Sequence, residues 1–330
     1  MLPPGAAPVI DGHLDVLDAM ERAGRDFFTE SAVGQVALPR LRRGGVAAAF
    51  CAIRFDLEGL TDGGLLRMLT LTDRLRRIVE QSRGAVRLVR SMVDLEVALA
   101  PSGPFGAIMH LEGAGAIDAD LAVLRLLHAV GLRSLGLVWR RPNRFAQGAG
   151  AADRGEGLTP AGVRLVRECR RLGILIDVSH LNDAGFWDVI RLADGPVVAT
   201  HANARALAPH PRNLTDAMIR AIAATGGLVG LTFHVAFVRP DLRRDAGTPL
   251  TLLAEHLDHI AGLAGVEHVA LGSGYDGCLP PAAIGDVGKL PALLALLAER
   301  GWRPAELACL CRENYWRVLS AVWGNYLDVS

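Results

Sequence analysis

A (β/α)8 barrel is predicted for this chain on three grounds: eight short apolar runs, helical periodicity between them, and histidines and carboxylates at the ends of four of the runs. The runs lie near residues 8–14, 46–53, 105–112, 132–138, 173–179, 196–201, 228–233 and 268–273. Between several of them, at 64–82, 119–130, 159–172, 214–225 and 251–264, apolar residues recur three and four positions apart, as on one face of a helix. Thr159-Pro160 and Asn182-Asp183 have the chemistry of helix starts, and Gly131, Gly173 and Gly226 that of helix stops. No repeat or linker divides the pattern, so residues 1–330 are expected to form a single barrel domain.

Composition narrows the partners. With 330 residues, 51% of them hydrophobic, a large core is available, and 35 basic residues balance 35 acidic ones. A formal net charge of +0 gives no electrostatic reason to expect nucleic acid or an anionic membrane, so a small-molecule substrate is the natural partner. The apolar runs fall short of a membrane span, and Met1-Leu2-Pro3-Pro4 lacks the regions of a signal peptide, which predicts a cytoplasmic protein. Five scattered cysteines argue against a disulfide framework, and Cys309-x-Cys311 lies in a helical pattern where residues two apart diverge.

Barrel chemistry collects at the C-terminal ends of the strands. The first run ends Val9-Ile10-Asp11-Gly12-His13-Leu14-Asp15, so His13 and Asp15 are expected on one face. The third ends His110-Leu111-Glu112, the fifth Asp177-Val178-Ser179-His180 and the sixth Ala199-Thr200-His201. Singly, each of these is more ordinarily a satisfied core histidine or a capping carboxylate. Jointly, His13, Asp15, Glu112, His180 and His201 converge on one rim and point to a metal site. Imidazole and carboxylate donors suit Zn²⁺, with Mn²⁺ or Fe²⁺ as alternatives. Two divalent ions bridged by Glu112, one held by His13 and Asp15 and the other by His180 and His201, would use every ligand and acidify a water between them. His110 is expected one layer deeper as barrel filling, and His256 and His259 on an outer helix. The Gly/Ala-rich stretch from Arg144 to Gly157 is expected to be a mobile loop over the mouth.

Several stretches together resemble the renal or membrane dipeptidase family, zinc peptidases among the metallo-dependent hydrolase barrels. They are Asp11-Gly12-His13-Leu14-Asp15, Leu111-Glu112-Gly113, Ile176-Asp177-Val178-Ser179-His180, Thr200-His201-Ala202-Asn203-Ala204-Arg205, His210-Pro211-Arg212-Asn213-Leu214, His256-Leu257-Asp258-His259-Ile260 and Glu313-Asn314, in the family's order over nearly the whole chain. The resemblance implies the same five metal ligands, a grip on the substrate's carboxylate by Arg212, and a homodimer. It also exposes two departures. Where the family has a catalytic Asp after the last strand, this chain has Gly274, and where it has a substrate-binding His after the fourth, this chain has Trp139.

A lost general acid or base typically removes about 10²- to 10⁴-fold and a lost oxyanion donor about 10²- to 10³-fold, so ordinary dipeptide hydrolysis is expected to be poor. Asp276 and His234 are the candidates to take over proton transfer, although Asp276 matches an Asp of the family and a structural role suits it better. Trp139 would offer a flat wall, and Arg212, Trp139 and Tyr275 are the candidate substrate-binding residues. The expected function is thus a binuclear-metal enzyme on a small carboxylate-bearing substrate, dipeptide-like or an unusual amide, or a lyase, isomerase or decarboxylase step of specialised metabolism. The alternatives are an ordinary zinc dipeptidase with a substitute acid or base, and a non-catalytic binding protein that keeps its metals.

Overall fold

The computed structural model describes residues 7–55, 64–150 and 154–324. Its strands are β1 (Val9–Leu14), β2 (Val46–Arg54), β3 (Val86–Leu88), β4 (Phe105–Glu112), β5 (Leu132–Gly136), β6 (Leu175–Asp177), β7 (Val197–Ala202), β8 (Leu228–Leu231) and β9 (Val269–Leu271). The order β2-β1-β9-β8-β7-β6-β5-β4 is closed by parallel pairing of β2 with β4, which makes the eight-stranded barrel the sequence predicts. The strand not foreseen, β3, is three residues long and pairs with the N-terminal half of β4. Val-Arg-Leu is too short to display a period of two.

The strands of the barrel are buried on both faces, as parallel strands under helices must be. One set of side chains packs outward against the helices; the other, including Ile10, Phe50, Ile108, Leu175 and Val198, packs with Tyr315, Val318 and Leu319 of the C-terminal helix Asn314–Trp323. Thr159, Asn182 and Thr215 cap their helices by accepting backbone N–H bonds, and Gly131, Gly173 and Gly226 all have positive φ at helix ends. The ladder between β7 and β8 breaks between Ala199 and Ala202. There the Thr200 carbonyl turns to the barrel centre, and Gly12, Gly230 and Gly272 make room for it: a Cβ on them would lie 2.6, 2.0 and 1.7 Å from that oxygen.

The run from Phe145 to Ala149 is buried. Ala149 N–H donates to His180 O at 2.7 Å and Asn182 N–H to Gln147 O at 3.1 Å, so this half of the expected mobile loop is pinned beside the mouth. Residues 151–153 of that loop, and the N-terminal residues 1–6, lie outside the described residues. Among the described residues no helix is long and apolar enough to cross a membrane.

Candidate metal centre

Three strands, the residue just beyond one of them and the turn after a fourth bring the five expected ligands to one end of the barrel. His13 sits in β1 with Asp15 immediately after it, Glu112 ends β4, His180 follows β6, and His201 is in β7. Glu112 Oε1 is the hub, at 2.8 Å from His180 Nε2, 3.3 Å from His201 Nε2 and 3.6 Å from His13 Nε2. The two outer imidazoles stand 2.9 Å apart, and Asp15 Oδ2 is 3.6 Å from His13 Nε2. Donors about 2.0–2.1 Å from a tetrahedral zinc would stand about 3.3 Å from one another, so these separations fit a metal site. Asp15 occupies the N-cap position of the helix Val16–Ala23, yet its side chain makes no capping bond and turns toward the centre instead.

The surroundings set the imidazoles' protonation. Thr200 Oγ1 donates to Asp177 Oδ2 at 2.6 Å, so toward His201 Nδ1, at 2.8 Å, it can only accept. His201 therefore carries its proton on Nδ1 and turns the Nε2 lone pair into the site. Burial holds its pKa down to about 3, and burial with Arg212 holds His180 at about 4, so both are neutral ligands at pH 7. Burial also opposes charge on His13, but Glu112 and Asp15 outweigh it and lift that group to about 9. A site that draws a proton onto an imidazole it buries has negative potential to spare for a cation. Backbone strain serves the same end, for His180 holds φ at +70°, a left-handed conformation that side chains rarely adopt.

Two buried aspartates, not foreseen as part of the site, fix the strand ends. Asp11 accepts from the N–H groups of His13 and Ser273 and from Ser273 Oγ, tying β1 to the exit of β9. Asp177 accepts from the N–H groups of Ser179 and Thr200 as well as from Thr200 Oγ1, tying β6 to β7. Burial pushes Asp177 up, but its donors and the neighbouring imidazoles prevail and its pKa falls from 3.8 to about 2. A depressed carboxyl contributes stability that is present above its unfolded pKa and lost as pH falls through the folded one. Asp177→Asn should therefore cost about 2 kcal/mol at pH 7, with the gap to wild type closing between about pH 4 and pH 2. Urea unfolding across that range measures it.

A cavity of about 490 Å³ opens over the centre. His13, Asp15, Glu112, His180 and His201 form its floor, and Trp139, Arg212, His234 and Gly274 stand in its walls. Arg212 is buried, and burial lowers its pKa to about 10. Among the described residues only its Nη2 finds a hydrogen-bond partner, His201 O at 3.1 Å, while Nε is buried without one. Its loop is held by Asn213 Nδ2, which donates to the carbonyls of Ala208 and Phe237, both at 2.8 Å. His234 accepts from Leu279 N–H through Nδ1 at 3.3 Å, and its Nε2 has no hydrogen-bond partner among the described residues.

The structure does not bring two expected residues to the cavity. Asp276 accepts from Arg25 Nη2 at 2.7 Å and from Gln35 N–H at 2.6 Å, a buried ion pair that ties the strand exit to the loop before Leu38. With φ at +68° this residue turns its side chain away from its neighbours in the run, so the face-sharing expected of an extended segment fails. Tyr275 is fully buried in the core and donates its hydroxyl to Ile284 O at 2.7 Å. His110 fills the barrel as expected, 3.0 Å from Ser134 Oγ, and His256 bridges Ala204 N–H and Val238 O from its helix.

A residue with no place in the expected site joins it. Arg54, the last residue of β2 and the register partner of Glu112, donates from Nε to Asp15 Oδ1 at 2.6 Å, with its guanidinium 4.8 Å from the Trp139 ring centre. Its signal was present in the sequence, since Phe50, Ala52 and Arg54 alternate onto one face and Arg54 closes an apolar run.

Comparison with known proteins gives the family to which this barrel belongs. The model of the membrane dipeptidase family, peptidase family M19, matches residues 5–325. The crystal structure of the dipeptidase AC, a metallopeptidase of family M19, superposes with a TM-score of 0.92 at 40% identity, covering 97% of this chain and 99% of that one. A metallopeptidase from Rhodobacter sphaeroides, liganded with a phosphinate mimic of the dipeptide L-Ala-D-Ala, gives 0.91 at 38% identity over 96% and 100%. A Klebsiella pneumoniae protein, known as an uncharacterized protein in the pqqA 5' region, is 42% identical over 254 residues, 76% of this chain and 93% of its own length. The chain belongs to the membrane dipeptidase family, peptidase family M19, and with it to the metal-dependent hydrolases.

Proposed function

We propose that this protein is a metal-dependent enzyme on a small carboxylate-bearing substrate, dipeptide-like or an unusual amide, whose chemistry has moved away from ordinary dipeptide hydrolysis. One observation carries this reading. The only carboxylates lining the cavity, among the described residues, are Asp15 and Glu112, both of the metal centre. None is left to carry a proton to a departing amine, and Gly274 stands where the family's Asp would be. The donor set has places for two divalent ions, zinc first among them, with Glu112 between the His13–Asp15 pair and the His180–His201 pair. Metal bound there would acidify a water and polarise a carbonyl.

The chain's own groups supply the rest. Arg212, buried with a free edge, is suited to a bidentate hold on the substrate's carboxylate. The exposed Arg140 and Arg244 at the rim add positive potential that favours an anion. Trp139 supplies a wall in place of an oxyanion donor. The aromatic face favours a flat or cyclic substrate.

A second reading rests on His234, which lines the cavity with Nε2 unpartnered; an ordinary dipeptidase would use it as the acid or base. Burial and the nearby Arg244 and Arg212 lower its pKa below the ordinary 6.5, so it is neutral at pH 7 and able to take a proton. The test is a panel of dipeptides assayed with the zinc-loaded and the chelator-treated protein, in wild type and in His234→Gln. Slow, chelator-sensitive turnover is expected throughout. Brisk turnover in wild type, lost together with its acid limb in His234→Gln, would favour the second reading.

A further inference from the structure

The metal centre's carboxylates are shared with a fixed cation. Arg54 projects from the end of β2 opposite Glu112 and is 11% exposed. Its Nε lies 2.6 Å from Asp15 Oδ1 and 3.6 Å from Glu112 Oε2, and its Nη2 is 3.7 Å from Asp18 Oδ2. Trp139 holds the guanidinium by its ring face, at 4.8 Å. The oxygens of the two ligand carboxylates are thereby divided. Asp15 Oδ2 and Glu112 Oε1 face the imidazoles, whereas Asp15 Oδ1 and Glu112 Oε2 face Arg54. Among the described residues Glu112 Oε2 has no hydrogen-bond partner of its own. All three imidazoles converge on Oε1, and His13, Glu112 and His201 have donor atoms within 4.8 Å of one another.

A carboxylate that bridges two ions presents one oxygen to each, and here the second oxygen already faces a guanidinium. We infer that Arg54 competes with a metal ion for the outer oxygens of Asp15 and Glu112, so that the centre retains one divalent ion tightly on the imidazole side and a second only weakly. This rests on the proposed metal dependence and adds to it an inequality between the two positions. Arg54 and Trp139 act together: the ring that replaces a substrate-binding imidazole also keeps the arginine over the carboxylates. Arg54 is then a positioning residue of the centre, governing its occupancy.

Ion counting tests it without reference to activity. The full chain is loaded with excess zinc chloride, passed through metal-free buffer by gel filtration, and its zinc measured by mass spectrometry. Wild type is expected to retain one ion per chain, and Arg54→Leu and Arg54→Gln two, with affinity for the second ion raised by about 10- to 100-fold, the range over which groups around metal ligands act. Calorimetric titration with zinc gives that affinity. Two ions retained by wild type, a result that needs no variant to fold, would overturn the inference while leaving metal dependence standing. So would one ion retained by both variants. No zinc retained by any of the three would overturn the inference together with the metal reading beneath it.

Discussion

Gly274→Asp is expected to raise dipeptide hydrolysis by about 10²- to 10⁴-fold, the usual contribution of a positioned acid or base. The backbone there can accept the change. Gly274 holds φ at +74°, where aspartate and asparagine are the side chains best tolerated, at a cost of about 1 kcal/mol. A Cβ would meet Thr232 Oγ1 at 3.3 Å and Cys278 Cβ and Sγ at 3.7 Å, and both residues line the cavity, so the new carboxyl would run along its wall. Adding Trp139→His supplies an imidazole where an oxyanion donor is missing, a further gain of up to about 10³-fold. Gly274→Asn is the control, since it repeats the shape and the strained φ without a titratable group. If the aspartate variant hydrolyses dipeptides no faster than the asparagine variant, position 274 does not limit the reaction.

The clustering of the candidate ligands was legible because barrel topology turns a spacing problem into a placement problem. His13, Glu112, His180 and His201 each close an apolar run, and a closed ring of parallel strands carries all such ends to one rim. Periodicity on its own failed at the bends. Asp276 lies two positions beyond Gly274, but the run from Gly274 to Gly277 is a tight turn closed by Gly277 N–H on Gly274 O at 3.0 Å, so alternation no longer says where a side chain points. The same turn sends Tyr275 into the core. The pairing of Asp276 with Arg25, some 251 positions away in sequence, could not be seen from its neighbours in the chain. Asp11 and Asp177 were hidden for another reason: a carboxylate that accepts backbone N–H groups leaves no pattern, and only the fold shows which donors it meets.

Arg212→Met is expected to lower kcat/KM for a carboxylate-bearing substrate by a factor of several tens to several thousand, equivalent to about 2–5 kcal/mol, the loss when one partner of a buried charge pair is removed. The free protein should respond in the opposite sense. Arg212 is buried beside His180 and His201; among the described residues its Nε has no hydrogen-bond partner, and the one bond its guanidinium makes is to a carbonyl. Desolvation has already lowered its pKa to about 10, the mark of a cation held where water would serve it better. The attraction of Glu112 and Asp177 does not make up for that desolvation, and replacing a buried charge so placed by an apolar side chain of similar length is neutral or stabilising. The methionine variant should thus unfold at a temperature equal to or above that of wild type while binding substrate poorly. Arg212→Lys would restore the charge without the planar fork and should recover only part of the loss. A structural arginine would behave otherwise, losing stability with activity in proportion. Thermal unfolding beside KM and kcat for the two variants separates the cases, and a methionine variant that loses stability yet keeps its KM would remove Arg212 from the binding site.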